Sequence, residues 1–200
     1  MVIRVFPYKT ATIEPKYRVF SPDDDEGKIN NFPPVSSLKK PKEMKITLLL
    51  TGKTEDGWIK SGFEQYLKRL EHYCTLEVIE IPALKQAGKI STAEQNKAEG
   101  ELQLSKISTS DRLILMDEKG KEFTSTGLAE WIGKQQSAGH KRMVFLIGGP
   151  FGFSEKVYER ANERISLSQM TFSHQMVRIF LAEQLYRAYS ITKGEKYHHS

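Results

Sequence analysis

Apolar and polar positions recur along this chain on two periods, near 2 and near 3.6 residues, and each switch between them marks an element. Ile46 to Leu50 is an unbroken apolar run, too short for a helix and typical of a strand covered on both faces. Residues 58 to 73 then place Trp58, Phe63, Tyr66, Leu67 and Leu70 at helical spacing. Leu76 to Ile81 predicts a strand closed by Pro82. Ser91 to Ile107 predicts a charged, one-faced helix opened by Ser91-Thr92-Ala93-Glu94 as a capping box. Arg112 to Met116 predicts a strand ending in Asp117-Glu118-Lys119-Gly120, and residues 125 to 137 a helix with Leu128, Trp131 and Ile132 on one side. Val144 to Ile147 is again a buried-type strand. It runs into Gly148-Gly149-Pro150-Phe151-Gly152, followed by a polar helix and a short strand ending in Ser166-Leu167-Ser168-Gln169-Met170-Thr171. A long helix then runs from Ser173 to Ile191. Repeating β-α units of this length predict an α/β fold, a mostly parallel sheet with helices on both faces.

The first 43 residues break this pattern. They hold six of the chain's eight prolines, an acidic run from Asp23 to Glu26 and a basic end at Lys39-Lys40-Pro41-Lys42. Prolines at that density leave no room for a regular helix. Residues 1–43 are therefore expected to be either a mostly disordered extension or an upstream start foreign to the native protein, with little function, and 44–200 to form the folded domain. Met44 has the look of a natural start.

Two hundred residues with 38% apolar content suit one domain with a substantial core. A net charge of +5 and a pI near 9.1 permit an acidic partner such as RNA but are too mild to require one. The single cysteine, Cys74, cannot form an internal disulfide, which agrees with a reducing compartment, and it reads as a packed or surface thiol. His72 and His140 are isolated and His198-His199 are adjacent rather than at chelating spacing, so no metal site is expected. No stretch approaches the roughly 18 apolar residues of a membrane span. Met1 to Thr10 lacks the apolar segment of a signal peptide, so the expected location is cytoplasmic.

Candidate chemistry concentrates between Val144 and His174. Glycines directly after a strand mean a sharp turn or a close approach. The G-x-G-x-x-G spacing of a dinucleotide loop is absent, and no Gly-Lys-Ser/Thr follows as in a P-loop. Two such turns nevertheless sit at the C-terminal ends of two predicted strands, where open α/β sheets bind ligands. Taken alone, Met116 and Met170 read equally as core fillers, and Ser168 and Thr171 as turn or cap residues. His174 reads equally as a cap, and Arg187 as the partner of Glu183 one turn earlier.

Taken together, LIGGPFGFS, ISLSQMTFSHQMVR, LAEQLYRAY and the terminal KYHH resemble the large-subunit ribosomal RNA methyltransferase H group, the smallest of the SPOUT (α/β-knot) methyltransferases. The resemblance runs from Met44 to the end, about three quarters of the chain. It implies a C-terminal trefoil knot between roughly Asp111 and Ile191. It implies S-adenosyl-L-methionine as cofactor, held by Met116, Gly148, Leu167, Ser168, Gln169, Met170, Thr171 and Phe172. The implied reaction is methylation of N3 of a pseudouridine in the helix 69 region of 23S ribosomal RNA, on the assembled ribosome and without metal. His174, Arg187, Tyr197 and His198 are the implied catalytic residues, with Arg178 one turn beyond His174. The implied assembly is a homodimer paired through the knot, the tail of one subunit reaching the pocket of the other. One departure stands out: many relatives carry an arginine or another charged residue after the Tyr-His pair, and this chain has His199, mostly neutral at pH 7. Two other readings compete, a ribosome-binding protein that keeps the fold without turnover and a knotted methyltransferase of transfer RNA.

Overall fold

The computed structural model describes residues 44–82, 84 and 90–195. Five strands form one sheet in the order β2-β1-β4-β3-β5. They are β1 (Lys45–Thr51), β2 (Leu76–Ile81), β3 (Arg112–Glu122), β4 (Arg142–Ile147) and β5 (Glu163–Ser166). Every pairing is parallel, so the expected mostly parallel sheet is parallel throughout. The apolar runs are the inner strands: Leu48, Leu49 and Leu50 of β1 and Val144, Phe145 and Leu146 of β4 have no exposed surface. Parallel strands need crossovers, and helices supply them on both faces.

One face of the sheet, with Ile46, Leu48, Ile114 and Phe145, lies under α1 (Gly57–Leu70), α3 (Ser125–Ser137) and α5 (His174–Thr192). Phe63, Leu128, Ile132, Leu181 and Leu185 are the helix residues that complete this layer. The other face, with Leu49, Leu113, Val144 and Leu146, packs on α4 (Glu155–Arg160) through Val157, with Leu104 of α2 (Thr92–Leu104) beside it. Each fully buried side chain of this kind contributes about 1.5–3 kcal/mol. At the N-terminal ends of the strands, Arg142 donates to Thr47 Oγ1 at 2.9 Å and to Asp111 at 3.0 Å. That ion-pair network pins the sheet's lower edge and leaves the upper edge to the loops.

Three local features differ from the sequence expectation, and a fourth, Cys74, falls on one of the two readings left open. The strand expected to stop at Met116 continues to Glu122, and its register breaks between Met116 and Lys121, both of which pair with Ile165 of β5. Gly120 lies where the bulging segment returns, and a Cβ there would stand 2.5 Å from the backbone of Ile165. Only glycine fits such an approach. The helix expected to reach residue 73 ends at Leu70, and Trp58, expected on its apolar face, is 65% exposed. The Ser91 capping box forms as expected, but the buried face of α2 is polar: Gln95, Glu99, Gly100 and Gln103. Cys74 is buried, its thiol directed at the Leu70 carbonyl at 3.8 Å.

Candidate functional site

The loops that leave the C-terminal ends of β4 and β5 lie beside the bulge within β3, and together they enclose a cavity of about 690 Å³. That lies within the roughly 300–1,000 Å³ usual for small-molecule sites. The β3 bulge contributes Met116, Asp117, Glu118 and Lys119; the β4 loop contributes Gly148 to Phe153; the β5 loop contributes Leu167, Ser168, Met170, Thr171 and Phe172. His174 and Val177 of α5 close one side.

Each loop owes its shape to local chemistry. Gly149 and Gly152 form an isolated antiparallel bridge, and the Gly152 N–H donates to the Gly149 carbonyl at 3.2 Å. Pro150 suits the second position of that turn, and Gly152 takes a φ of +77°, where other residues are strained. Gly148 needs to be glycine for another reason: a Cβ there would stand 2.9 Å from the Phe153 ring and 3.1 Å from the Gly152 carbonyl oxygen. In the β5 loop Ser166 Oγ donates to the Ser168 carbonyl at 2.7 Å, and Ser168 Oγ accepts from the Met170 N–H at 3.0 Å. Thr171 donates to Glu118 at 3.0 Å, tying the β5 loop to the β3 bulge. Phe172 packs against Phe180 of α5, ring centroids 4.9 Å apart.

Below the loops, Ser173 caps α5 by accepting from the Met176 N–H at 3.3 Å, which sets His174 at the first helical position. Gln175 Nε2 donates to the Lys53 carbonyl at 3.0 Å and lies 3.2 Å from His174 Nε2. The Lys53 contact fixes the amide orientation, so His174 Nε2 accepts and Nδ1 carries the proton, an assignment from the hydrogen-bond network. Burial, then the nearby Arg178 charge, hold His174 below its ordinary pKa, while Glu55 and Glu99 oppose them. It is a neutral imidazole at pH 7. Arg178 is wholly buried and donates to the Thr51 carbonyl at 2.8 Å, the Gly52 carbonyl at 3.1 Å and Thr54 Oγ1 at 2.7 Å. Burial lowers its pKa too. Its role in the structure is to lash the exit of β1 to the first turns of α5. Across the cavity, burial and a hydrogen bond to Asp117 push the Tyr158 phenol up to about 12, so it stays protonated.

Of the residues singled out in the sequence, Met116, Gly148, Leu167, Ser168, Met170, Thr171, Phe172 and His174 all line this cavity. Met170 is 71% exposed and so is no core filler. Gln169 is exposed and is not among the lining residues. Arg187 is not brought to the site within one subunit. It lies thirteen positions from His174 on the same straight element, about 20 Å along the axis, and pairs with Glu183. Tyr197 and His198 lie outside the described residues. Sequence reasoning passed over Asp117 to Lys119, Phe151 and Tyr158 as wall residues. It also passed over Asn96 and Glu99 of α2, which abut the glycine loop from behind. The only signal for these two was a row of polar residues, 95, 99 and 103, at helical spacing on one face. Among the described residues no group of three or more His, Cys, Asp or Glu side chains could hold a metal ion, and no helix is long and apolar enough to cross a membrane.

A parallel α/β sheet with a pocket at the C-terminal ends of its strands is the class of fold that binds small molecules at that edge. Residues 44–198 match the family described as "Predicted SPOUT methyltransferase", and the chain belongs to the SPOUT methyltransferases, a family that implies a C-terminal trefoil knot. It is 53% identical over 156 residues to the Ribosomal RNA large subunit methyltransferase H of Cytophaga hutchinsonii, covering 78% of this chain and 100% of that protein. Proteins of the same name from Christiangramia forsetii and Parabacteroides distasonis are 49% and 48% identical, each over 78% of this chain and 99% of their own length.

Proposed function

We propose that this protein transfers a methyl group from S-adenosyl-L-methionine to N3 of a pseudouridine in the helix 69 region of 23S ribosomal RNA, on the assembled ribosome in the cytoplasm. The observation that carries the reading is the convergence of Met116, Gly148 and the 167–172 loop on one cavity of suitable size. It joins the ribosomal RNA methyltransferase names of relatives aligned over nearly their whole length. The match starts at residue 44, which supports placing residues 1–43 outside the catalytic domain.

The residues present fit the cofactor. The loop backbones offer N–H and C=O groups for a purine and a ribose, and the apolar side chains of Met116, Leu167 and Phe172 offer surface for the ring. When bound, the cofactor supplies an electrophilic methyl group. N3 of the uracil ring is a weakly acidic imide and gives up its proton before or as it attacks. His174 is the neutral base on the cavity wall. Its free lone pair is on Nε2, so accepting the proton there requires parting from the Gln175 amide. Gln169, although exposed, remains part of the proposed cofactor loop through its backbone. Arg187, Tyr197 and His198 belong to the same chemistry only if they serve the partner's cavity. The distance along α5 from His174 to Arg187 supports a composite site in a homodimer.

Nucleoside mass spectrometry of 23S ribosomal RNA from cells with and without the gene tests the reading. One methyl lost from one pseudouridine, and restored by the purified protein with S-adenosyl-L-methionine, is the expected result. Ribosomal RNA whose methylation is identical in both strains would refute it.

A further inference from the structure

The face that α2 turns toward the glycine loop is polar where a crossover helix is ordinarily apolar. Its residues meet the loop one by one. Asn96 Nδ2 donates to the Phe151 carbonyl at 2.9 Å. A Cβ on Gly100 would stand 2.2 Å from Ser154 Oγ, so only glycine lets the start of α4 come so close. Glu99 lies directly behind Gly149, where a Cβ would stand 2.8 Å from Oε2. Glu99 is 6% exposed. Its Oε1 accepts from Gln95 Nε2 at 2.9 Å, and its Oε2 is buried with no hydrogen-bond partner.

A buried carboxylate oxygen left without a donor is costly, and such exceptions in a folded protein call for an explanation. Nothing about packing requires a carboxylate here. A glutamine has the same size and would keep the Gln95 contact through its own oxygen. What differs is charge. Gly149 and His174 both line the cavity, and both feel Glu99: the first at contact distance, the second through the carboxylate's field. Glu99 therefore projects negative charge into the cavity across the thickness of a side-chain-free backbone, in a setting where water screens little. Asp117 and Glu118 add to it from the β3 bulge opposite, against Lys119 on the wall and the buried Arg178 behind His174.

We propose that Glu99 is a specificity-determining residue that makes this cavity prefer a cationic ligand over a neutral analogue of the same shape. This rests on the reading of the cavity as an S-adenosyl-L-methionine site. That cofactor carries a sulfonium, an ammonium and a carboxylate, net one positive charge; after methyl transfer the sulfur is a neutral thioether. Glu99 thus favours the charged donor and adds little to the hold on the spent product, S-adenosyl-L-homocysteine.

Isothermal calorimetry on the full chain separates the possibilities, with wild type measured first against both compounds. In Glu99→Gln, affinity for S-adenosyl-L-methionine is expected to fall about tenfold or more, and affinity for S-adenosyl-L-homocysteine by less than about twofold. Equal losses for the two would make Glu99 only a seat for the loop and overturn the proposal, as would no loss at all. Should Glu99→Gln fail to fold, Glu99→Asp carries the test. With its charge kept it must retain the wild-type preference to within about threefold, and a folded Asp variant without that preference overturns the proposal. A wild-type protein that binds neither compound sinks the reading of the cavity itself and this inference with it. Wild-type binding of both, with an unchanged ratio in the variant, sinks this inference alone.

Discussion

Gly148→Ala adds one methyl group at the mouth of the β4 loop, and the structure says what that methyl meets. Ordinary contacts between carbon atoms lie at about 3.5–4.0 Å. The added Cβ would stand 2.9 and 3.1 Å from two ring carbons of Phe153 and 3.1 Å from the Gly152 carbonyl oxygen. The ring cannot swing freely, because Phe153 is buried in the second core and packs edge-on to Tyr158 at 5.7 Å. Relief by several tenths of an ångström must come from the loop backbone, at an overpacking cost of about 1–3 kcal/mol. Phe153→Leu alone shortens the obstructing side chain and costs about 1 kcal/mol in lost packing. Because the two changes act on one contact, the double variant should be more stable than the sum of the singles by about 1–2 kcal/mol. Urea unfolding of the four proteins measures this coupling, and calorimetry with S-adenosyl-L-methionine reports the loop's shape in parallel. Strictly additive stabilities would refute the reasoning, since the glycine would then not be required by the loop's own packing. Stability rescued without binding rescued would mean that the ligand itself needs the space at residue 148.

Two further outcomes follow from the base of α5. Arg178→Met fills a similar volume but strands the Thr51 and Gly52 carbonyls, and relief of the buried charge offsets part of that loss. The expected destabilisation is about 2 kcal/mol in urea unfolding, and a variant as stable as wild type would show that the guanidinium is dispensable. His174 has a folded pKa below its unfolded value of about 6.5, so its contribution to stability is fully present above that pH. It is lost as the pH falls from there toward the folded pKa, and His174→Asn should flatten this part of the stability profile. An unchanged profile would place that pH dependence elsewhere.

The strands and helices were legible because burial on two faces writes continuous apolar runs, as in Ile46 to Leu50, and helical stripes write their own period. The edge of the sheet was not. Asp117-Glu118-Lys119-Gly120 has the composition of a turn, and only the arrival of β5, about forty residues later, keeps the segment in the sheet as an irregularity in β3. Trp58 misled for the opposite reason: helical spacing places it on a stripe, but in the first turn of α1 it is the next residue, Ile59, that is buried with Phe63 and Leu70, and Trp58 stays in solvent. The cavity's front was visible as glycines and hydroxyls after strands. Its back wall was not, since Asn96 and Glu99 sit on a helix whose charge reads as a solvated surface until the loop packs onto it. Arg187 shows a further limit, because pattern and resemblance place it in a reaction while its own subunit keeps it two to three helical turns or more from the cavity.

The packing of α5 against both α1 and α3 has a consequence for how the chain is made. Phe63, Leu128 and Ile132 belong to the layer that Leu181 and Leu185 complete, and α5, which carries those two, is the last of the core elements to leave the ribosome. During synthesis at about 5–20 residues per second, the nascent chain presents a finished inner sheet whose α1 and α3 layer lacks its last helix for seconds. The closing contacts span long separations in sequence, which makes them slow to form by themselves. A stall within the codons of α5 is therefore expected to release a protein that exposes this unfinished layer and aggregates, rather than a slightly shortened enzyme.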